Sequence, residues 1–350
     1  MVARGARCQQ VMHSLEHPAS EVVRLRLTHL VTTGETPRCR EMAAAKGIEI
    51  LTAPSLLIIQ MSSGKSHHES TDAKERPMRD IRIAAAVCRC RPGDIEHNLA
   101  AMVRLCRRAA AQDVQLICFP ELSLTGYALG PALRQTALPQ NDPVIQRTQQ
   151  IARDHGLVIL AGLAVSPVAG QIHAEHRVFW PDGQNAAYRK LHLAPPEEGV
   201  LVCGQDVPLF EACGVRFGIQ LCYDAHFPEL TTCMALAGAE VIFMPHASPR
   251  LTPRAKLASW LRHLPARAFD NGLFVVACNQ TGRGGSGLTF PGLALALGPD
   301  GAILSKRAAM GEGLLVADLR AERLEAVRAH RMRYFLPRRR PALYRPLCRP

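Results

Sequence analysis

The stretch that most restricts how this chain can fold is a strand that runs directly into a cysteine and then, a few residues on, into a proline-led helix. Val215, Phe217, Ile219 and Leu221 alternate with Arg216, Gly218 and Gln220, the period-two pattern of a short strand with one apolar face. The strand ends at Cys222. After Tyr223-Asp224-Ala225-His226-Phe227 come Pro228-Glu229 and a helix-forming run from Leu230 to Ala237, closed by Gly238. Proline with an acid at one end and glycine past the other punctuate a helix on both sides. Cys222 therefore falls in a sharp strand-to-helix turn near a helix N-terminus. N–H dipoles there favour thiolate over thiol and can hydrogen-bond an oxyanion. Taken alone, the stretch fits a nucleophile and a buried core cysteine equally.

Strands and helices alternate through most of the chain. Ile81 to Val87 is a short apolar strand, and Asp94 can cap a helix whose apolar positions Ile95, Leu99, Met102, Val103, Cys106, Ala109 and Ala110 keep the helical period. Val114 to Phe119 forms a strand ending in Pro120-Glu121. Asp142-Pro143 opens a second helix that stops at Gly156, and Leu157 to Val165 is a buried strand. Strands at Ile172 to Trp180 and Asn185 to Leu193 flank Pro181-Asp-Gly183, a hairpin turn. Beyond the Cys222 helix lie a strand at Val241 to Pro245, a long helical region from Pro253 to Asn271, and a strand at Leu273 to Asn279. Later strands cover Leu293 to Leu297, Ile303 to Arg307 and Leu314 to Asp318, before a last helix through Arg320 to Arg331. The pattern predicts an α/β fold in which helices cover buried sheets and ligands gather beyond the carboxyl ends of strands. Glu121, Cys222 and Lys190 occupy such ends.

Residues 1–77 read differently. Polar clusters at Thr32 to Pro37 and Ser62 to Ser70 imply loop, with helical stretches around Ser20 to Leu30 and Arg40 to Lys46. The expected division is a weakly structured extension over 1–77 and one domain over 78–350.

Composition narrows the class. A chain of 350 residues that is 47% hydrophobic and 21% charged can bury a sizeable core. Its 12 cysteines are spread through a long chain with no secretory h-region, which implies reduced thiols and a cytoplasmic protein rather than a disulfide scaffold. Cys88-Arg-Cys90 has no second ligand pair at zinc-site spacing, so no metal is expected. The net charge of +12 invites nucleic acid as a partner, but ten Arg against two Glu fall between Arg320 and Pro350. A solvated or subunit-contacting tail fits that concentration better. No apolar run is long enough to span a membrane. Gly282-Arg-Gly-Gly-Ser-Gly287 matches a dinucleotide pattern but leads toward a strand rather than a helix, so it reads as a flexible loop.

A thiol nucleophile needs a base, an oxyanion stabiliser and a proton donor for the leaving group. Glu121, placed after an apolar strand and a proline, would have its pKa raised by desolvation into a range useful for proton transfer. Lys190 would supply a cation.

Three blocks carry a resemblance. Cys118-Phe-Pro-Glu-Leu-Ser-Leu-Thr-Gly-Tyr127, Tyr188-Arg-Lys-Leu-His-Leu193 and Leu221-Cys-Tyr-Asp-Ala-His-Phe-Pro-Glu229 are similar, in the same order, to the signature blocks of the nitrilase superfamily, the carbon–nitrogen hydrolases. The likeness runs from Ile81 to the C-terminus and includes Asn98, Arg267 to Asn271 and Arg340 to Tyr344. It implies an α-β-β-α sandwich with Glu121 as general base, Lys190 as the lysine and Cys222 as nucleophile. The bracing glutamate is expected about eight residues after the lysine, at Glu198, with Glu197 as fallback. The oxyanion would rest on Lys190 and the backbone N–H of Tyr223, and no cofactor is required. Because Cys222 precedes Tyr-Asp and not Trp-Glu, the resemblance favours cleavage of an aliphatic amide or N-carbamoyl compound over a nitrile. The alternatives are a nitrilase and a non-catalytic binding or scaffold protein. Asp224 would orient the turn, His226 would be a loop residue, and Tyr127, His246, Arg250 and Trp260 could reach a substrate, with Arg250 meeting an acidic group. The family also implies homodimers or larger assemblies.

Overall fold

The computed structural model describes residues 48–53, 56–61, 77–249 and 252–348. The chain divides into two compact units, Met1–Arg76 and Pro77–Pro350. Within the first, β1 (Ile48–Ala53) pairs antiparallel with β2 (Leu56–Met61). The polar clusters on either side masked this hairpin in the sequence. The expected helices at Ser20 to Leu30 and Arg40 to Lys46 lie outside the described residues.

Two sheets and their covering helices make up the second unit. The first sheet runs β17 (Gly313–Leu319), β3 (Ile81–Val87), β4 (Leu116–Cys118), β6 (Val158–Val168), β7 (Gln171–Phe179) and β8 (Asn185–Arg189), with β5 (Leu138–Pro139) beside β6. The second runs β16 (Ile303–Ala308), β15 (Leu293–Leu297), β12 (Phe274–Asn279), β11 (Val241–His246), β10 (Val215–Ile219) and β9 (Phe210–Ala212). A separate hairpin pairs β13 (Thr281–Arg283) with β14 (Thr289–Pro291). Parallel pairing joins β3 to β4 to β6 and β10 to β11 to β12, while antiparallel strands flank both groups.

The pleat explains why these strands are apolar on both faces. Along β3, Ile81, Ile83, Ala85 and Val87 join a core shared with Phe217, Ile219, Phe243 and Val276 of the second sheet. Ala84 and Ala86 point the other way, onto Leu99, Met102 and Cys106 of α1 (Ile95–Ala110). A strand buried on both sides needs apolar residues on both faces, and the run at Ile81–Val87 supplies them everywhere but at Arg82, near the strand's start, whose side chain reaches out to Asp318. α1 and α3 (Pro143–His155) cover the outer face of the first sheet, and α4 (Pro228–Leu236) and α6 (Leu264–Asn271) bring Leu230, Met234, Leu264 and Ala268 onto the second. The result is the α-β-β-α sandwich. A short α2 (Pro131–Gln135), α5 (Pro253–Trp260) and α7 (Ala321–Ala329) complete the helices of this unit. No helix among the described residues is long and apolar enough to cross a membrane.

Helix starts follow the sequence. Asp94 accepts a hydrogen bond from His97 N and Asp142 from Val144 N, so both cap as read. The single helical region expected from Pro253 to Asn271 is instead two helices, α5 and α6. Pro265 explains the break. It sits in the first turn of α6, where no N–H is needed, and would disrupt an uninterrupted helix there. The second hairpin strand also stops short: β8 ends at Arg189, so Lys190 follows the strand rather than lying within it.

One glycine decides how the sheet approaches the loop after β4. A Cβ on Gly162, in β6, would collide with the backbone nitrogen of Leu122. Leu122 itself has φ of 51°, left-handed for a branched residue, and the buried Asn98 clamps this loop by donating to Leu124 O and Arg91 O while accepting from Arg91 N. Gly162→Ala is therefore expected to destabilise the protein by about 1–3 kcal/mol, the range for forced overpacking, read as a lower midpoint in urea.

Candidate active site

Glu121, Lys190 and Cys222 are brought together as the sequence predicts. Glu121 follows β4, Lys190 follows β8, and Cys222 follows β10 after Gln220 and Leu221. Two of the three thus come from the first sheet and one from the second, at the carboxyl ends of β4 and β10.

Lys190 is the centre. Its ammonium, 1% exposed, donates to Glu121 Oε1 at 2.7 Å and to Glu197 Oε1 at 2.8 Å. The second oxygen of each carboxylate is held by backbone: Ala247 N donates to Glu121 Oε2 at 2.9 Å, and Ala194 N to Glu197 Oε2 at 2.8 Å. Burial works against the Lys190 charge, but the two carboxylates more than offset it, and its pKa lies well above the ordinary lysine value. Burial also pushes Glu121 above the usual carboxylate range, against the opposing pull of Lys190.

The bracing glutamate is Glu197, which corrects the expectation of Glu198. The short 3₁₀ turn Pro195–Glu197 places Glu197 at its third position, where the carboxylate folds back to accept from Ala194 N, as a capping-box acid does. That same reversal carries it inward to Lys190, while Glu198 is exposed. Two prolines followed by an acid were the signal; counting residues from the lysine pointed one place too far.

Cys222 opens a 3₁₀ turn, Cys222–His226, that precedes α4, so it is not at the N-terminus of α4 itself. Its φ of 44° is strained for a side-chain-bearing residue and lifts it out of the line of the strand. The expected thiolate is not the resting form. Burial first, and Glu121 second, push the thiol up to about 12, against the lowering effects of Lys190 and Lys256. A neutral thiol beside a carboxylate can still react, provided the carboxylate takes the proton as the bond forms.

Asp224 orients this turn. Its carboxylate accepts from Leu221 N at 2.9 Å, Tyr188 Oη at 2.7 Å and His192 N at 2.8 Å, tying the cysteine turn to the segment that carries Lys190. Arg267 closes the other side by donating to Ala225 O and His226 O. His226 is exposed and stacks on His263 at 4.5 Å, as befits a loop residue. Tyr223 occupies the second position of the turn, where helical geometry supplies no intrahelical acceptor for its N–H.

The other expected residues divide. Tyr127 lies in the site, with its buried hydroxyl donating to Glu197 Oε1 at 3.1 Å, so it positions a carboxylate. His246 ends β11 and is buried, with Nδ1–H donating to Met244 O at 2.7 Å and its ring 4.7 Å from that of Trp260. Arg250 lies outside the described residues. Sequence reading missed Lys256, one turn before Trp260 on α5 and 4% exposed, whose ammonium donates to Ser248 Oγ at 2.5 Å. Gln280, which donates to the backbone oxygen of Glu121, was also missed. Neither stands in a motif; only its contacts identify it. Cys88 and Cys90 are buried, with Sγ atoms 3.7 Å apart.

Comparison with known proteins places this geometry. Residues 82–329 match the carbon-nitrogen hydrolase family. The chain is 32% identical over 271 residues to the protein described as "Hydrolase in pqqF 5'region" of Pseudomonas protegens, covering 76% of this chain and 92% of that one. It is 31% identical over 238 residues to an (R)-stereoselective amidase of a Pseudomonas species, covering 68% and 84%. Among solved structures, it is similar to a glutamate-to-glutamine mutant of the amidase from Nesterenkonia sp. AN1, with a TM-score of 0.66, 27% identity, and coverage of 77% and 97%. That structure shows covalent addition of the acetamide moiety of fluoroacetamide at the active site cysteine.

Removing one partner of a buried ion pair costs about 3–5 kcal/mol. Glu197→Ala should lower stability on that scale, whereas Glu198→Ala should leave the urea midpoint where it was. Equal effects of the two substitutions would refute the assignment of Glu197.

Proposed function

We propose that this chain, which belongs to the carbon–nitrogen hydrolase family, is an enzyme of that family that hydrolyses a small aliphatic amide or N-carbamoyl compound, with Cys222 as nucleophile. The observation that carries the reading is the buried Glu121–Lys190–Glu197 cluster beside a thiol on a strained turn. The (R)-stereoselective amidase and the amidase with its cysteine adduct support an amide over a nitrile. So does the Cys222-Tyr223-Asp224 block.

The reaction follows from the groups present. Glu121 takes the Cys222 proton as sulfur attacks the carbonyl carbon. The developing oxyanion is met by the Lys190 ammonium and Tyr223 N–H. Glu121 then returns its proton to the departing nitrogen, which leaves as ammonia and a thioester remains. A water that gives its proton to Glu121 attacks the thioester and releases the carboxylic acid and the free thiol. Glu197 takes no proton in this scheme. With Tyr127 and Ala194 N it holds Lys190 in place.

The pH dependence has a definite sign. Glu121 must be ionised to act as base, and its pKa is raised, so activity rises with pH through a step above the ordinary glutamate value of 4.5. Lys190 is displaced upward from 10.5, so deprotonation of the lysine sets no descending limb near neutrality. Ammonia release over a panel of amides, N-carbamoyl compounds and nitriles tests the whole reading. Cys222→Ala should abolish release, and Glu121→Gln should lower it by about 10²–10⁴-fold, the usual contribution of a positioned acid–base group. Release that survives Cys222→Ala would overturn the mechanism.

Self-association belongs to the same reading. The C-terminal segment exposes Met332, Leu343 and Leu347, at 78%, 59% and 67%, on a tail rich in arginine. A chain ending at residue 330 should sediment as a smaller species than the full chain; identical sedimentation would remove the tail from the interface.

A further inference from the structure

Beside the Cys222 cluster lies a second cation that the proposed chemistry does not use. Ala247 and Ser248 are neighbours in sequence. The first donates its N–H to Glu121, and the hydroxyl of the second accepts from Lys256 Nζ. Ser248 is itself held on both sides by Asn279, which accepts from Ser248 N at 3.0 Å and donates to Ser248 O at 2.9 Å. Lys256 is therefore fixed to the same rigid turn that positions Glu121.

Its surroundings have a consistent character. The ammonium stands 5.4 Å over the ring of Trp260, which is fully buried and packs against His246. Trp260 Nε1 is a buried donor with no acceptor among the described residues, and a donor left so is costly unless something else supplies the acceptor. His246, His226 and His263 are each held below the usual imidazole range, by burial first, with Lys256 contributing in every case. They are therefore neutral at physiological pH. Charge completes the picture: Glu121, Lys190 and Glu197 bring two carboxylates to one ammonium, and an anionic substrate approaching them meets net repulsion unless a second cation faces it.

We infer that Lys256 and the Trp260 N–H form the anion-accepting end of the substrate site, so that the preferred substrate is an amide or N-carbamoyl compound bearing a carboxylate. This rests on the proposed function for the reacting end, and it names what the other end of the molecule carries. An ammonium and an indole N–H are both donors, and a carboxylate offers two acceptor oxygens to match them.

Alkylation of Cys222 tests the inference without requiring turnover. N-Chloroacetyl derivatives of glycine, β-alanine and γ-aminobutyrate, each paired with its neutral carboxamide, transfer their acyl-methyl carbon to sulfur with loss of chloride while Glu121 receives the thiol proton. Mass spectrometry then follows the labelling of Cys222. In the native protein at least one acid should label about tenfold faster than its carboxamide, the order expected of one charge-assisted contact. Lys256→Gln should bring that ratio to about one, Lys256→Arg should keep most of it, and Trp260→Phe should reduce it about threefold. Acids no faster than carboxamides at every chain length, or a ratio untouched by Lys256→Gln, would overturn the inference. If Lys256→Gln does not fold, Trp260→Phe decides, because an unchanged ratio there removes the indole donor and with it the subsite. An acid preference without ammonia release from the matching amides would support the subsite and remove amides as the substrates.

Discussion

Everything at the reacting end of this protein depends on one buried ammonium. Lys190 sits almost out of contact with water, where an uncompensated charge would be prohibitive. Two carboxylates compensate it, and a backbone N–H anchors the other oxygen of each: Ala194 N, from the same turn, for Glu197, and Ala247 N, from beyond β11 of the other sheet, for Glu121. Neither glutamate can swing away without stranding the lysine, so the segments after β4 and after Pro195 are held in register by charge as much as by packing. Tyr127 adds a third donor to Glu197, after Lys190 and Ala194 N, and removes its last freedom.

Against that fixed frame Cys222, the proposed nucleophile, is a neutral thiol. A cysteine at the mouth of a helical turn invites the expectation of a thiolate, but burial and the nearby Glu121 charge outweigh the dipoles and the lysine. In the proposed mechanism this makes a division of labour, in which the thiol keeps its proton at rest and passes it to Glu121 only as a carbon centre receives the sulfur. The left-handed backbone at Cys222 keeps the sulfur presented while this happens.

Much of this was legible in the sequence, and the misses have physical causes. Alternation of apolar residues marked β10, the capping acids Asp94 and Asp142 marked two helices, and three ordered blocks placed Glu121, Lys190 and Cys222. Where a backbone reversal decides orientation, spacing failed. Glu197 turns inward because it closes a 3₁₀ turn, and adjacent Glu198 therefore points out. Pro265 was in plain view, yet helical propensity on both sides hid the break it causes. Lys256 had no sequence signal, since a helical lysine is ordinarily solvated; its burial and its contacts with Ser248 and Trp260 set it apart.

The hydrogen bond between Tyr188 and Asp224 has a mechanical meaning. Tyr188 belongs to one sheet of the sandwich, and Asp224 to the turn that leaves the other. Together with Ala247 N and Gln280 reaching across to Glu121, it makes the reactive cluster a polar suture, alongside the bond from Trp180 to Glu211 O, between two slabs whose shared core is apolar. In the proposed mechanism, shear of one slab over the other by a fraction of a side chain would part the sulfur from its proton acceptor before any strand pairing was lost. Chemistry in this architecture is thus a gauge of alignment between the layers, failing earlier than the fold that carries it.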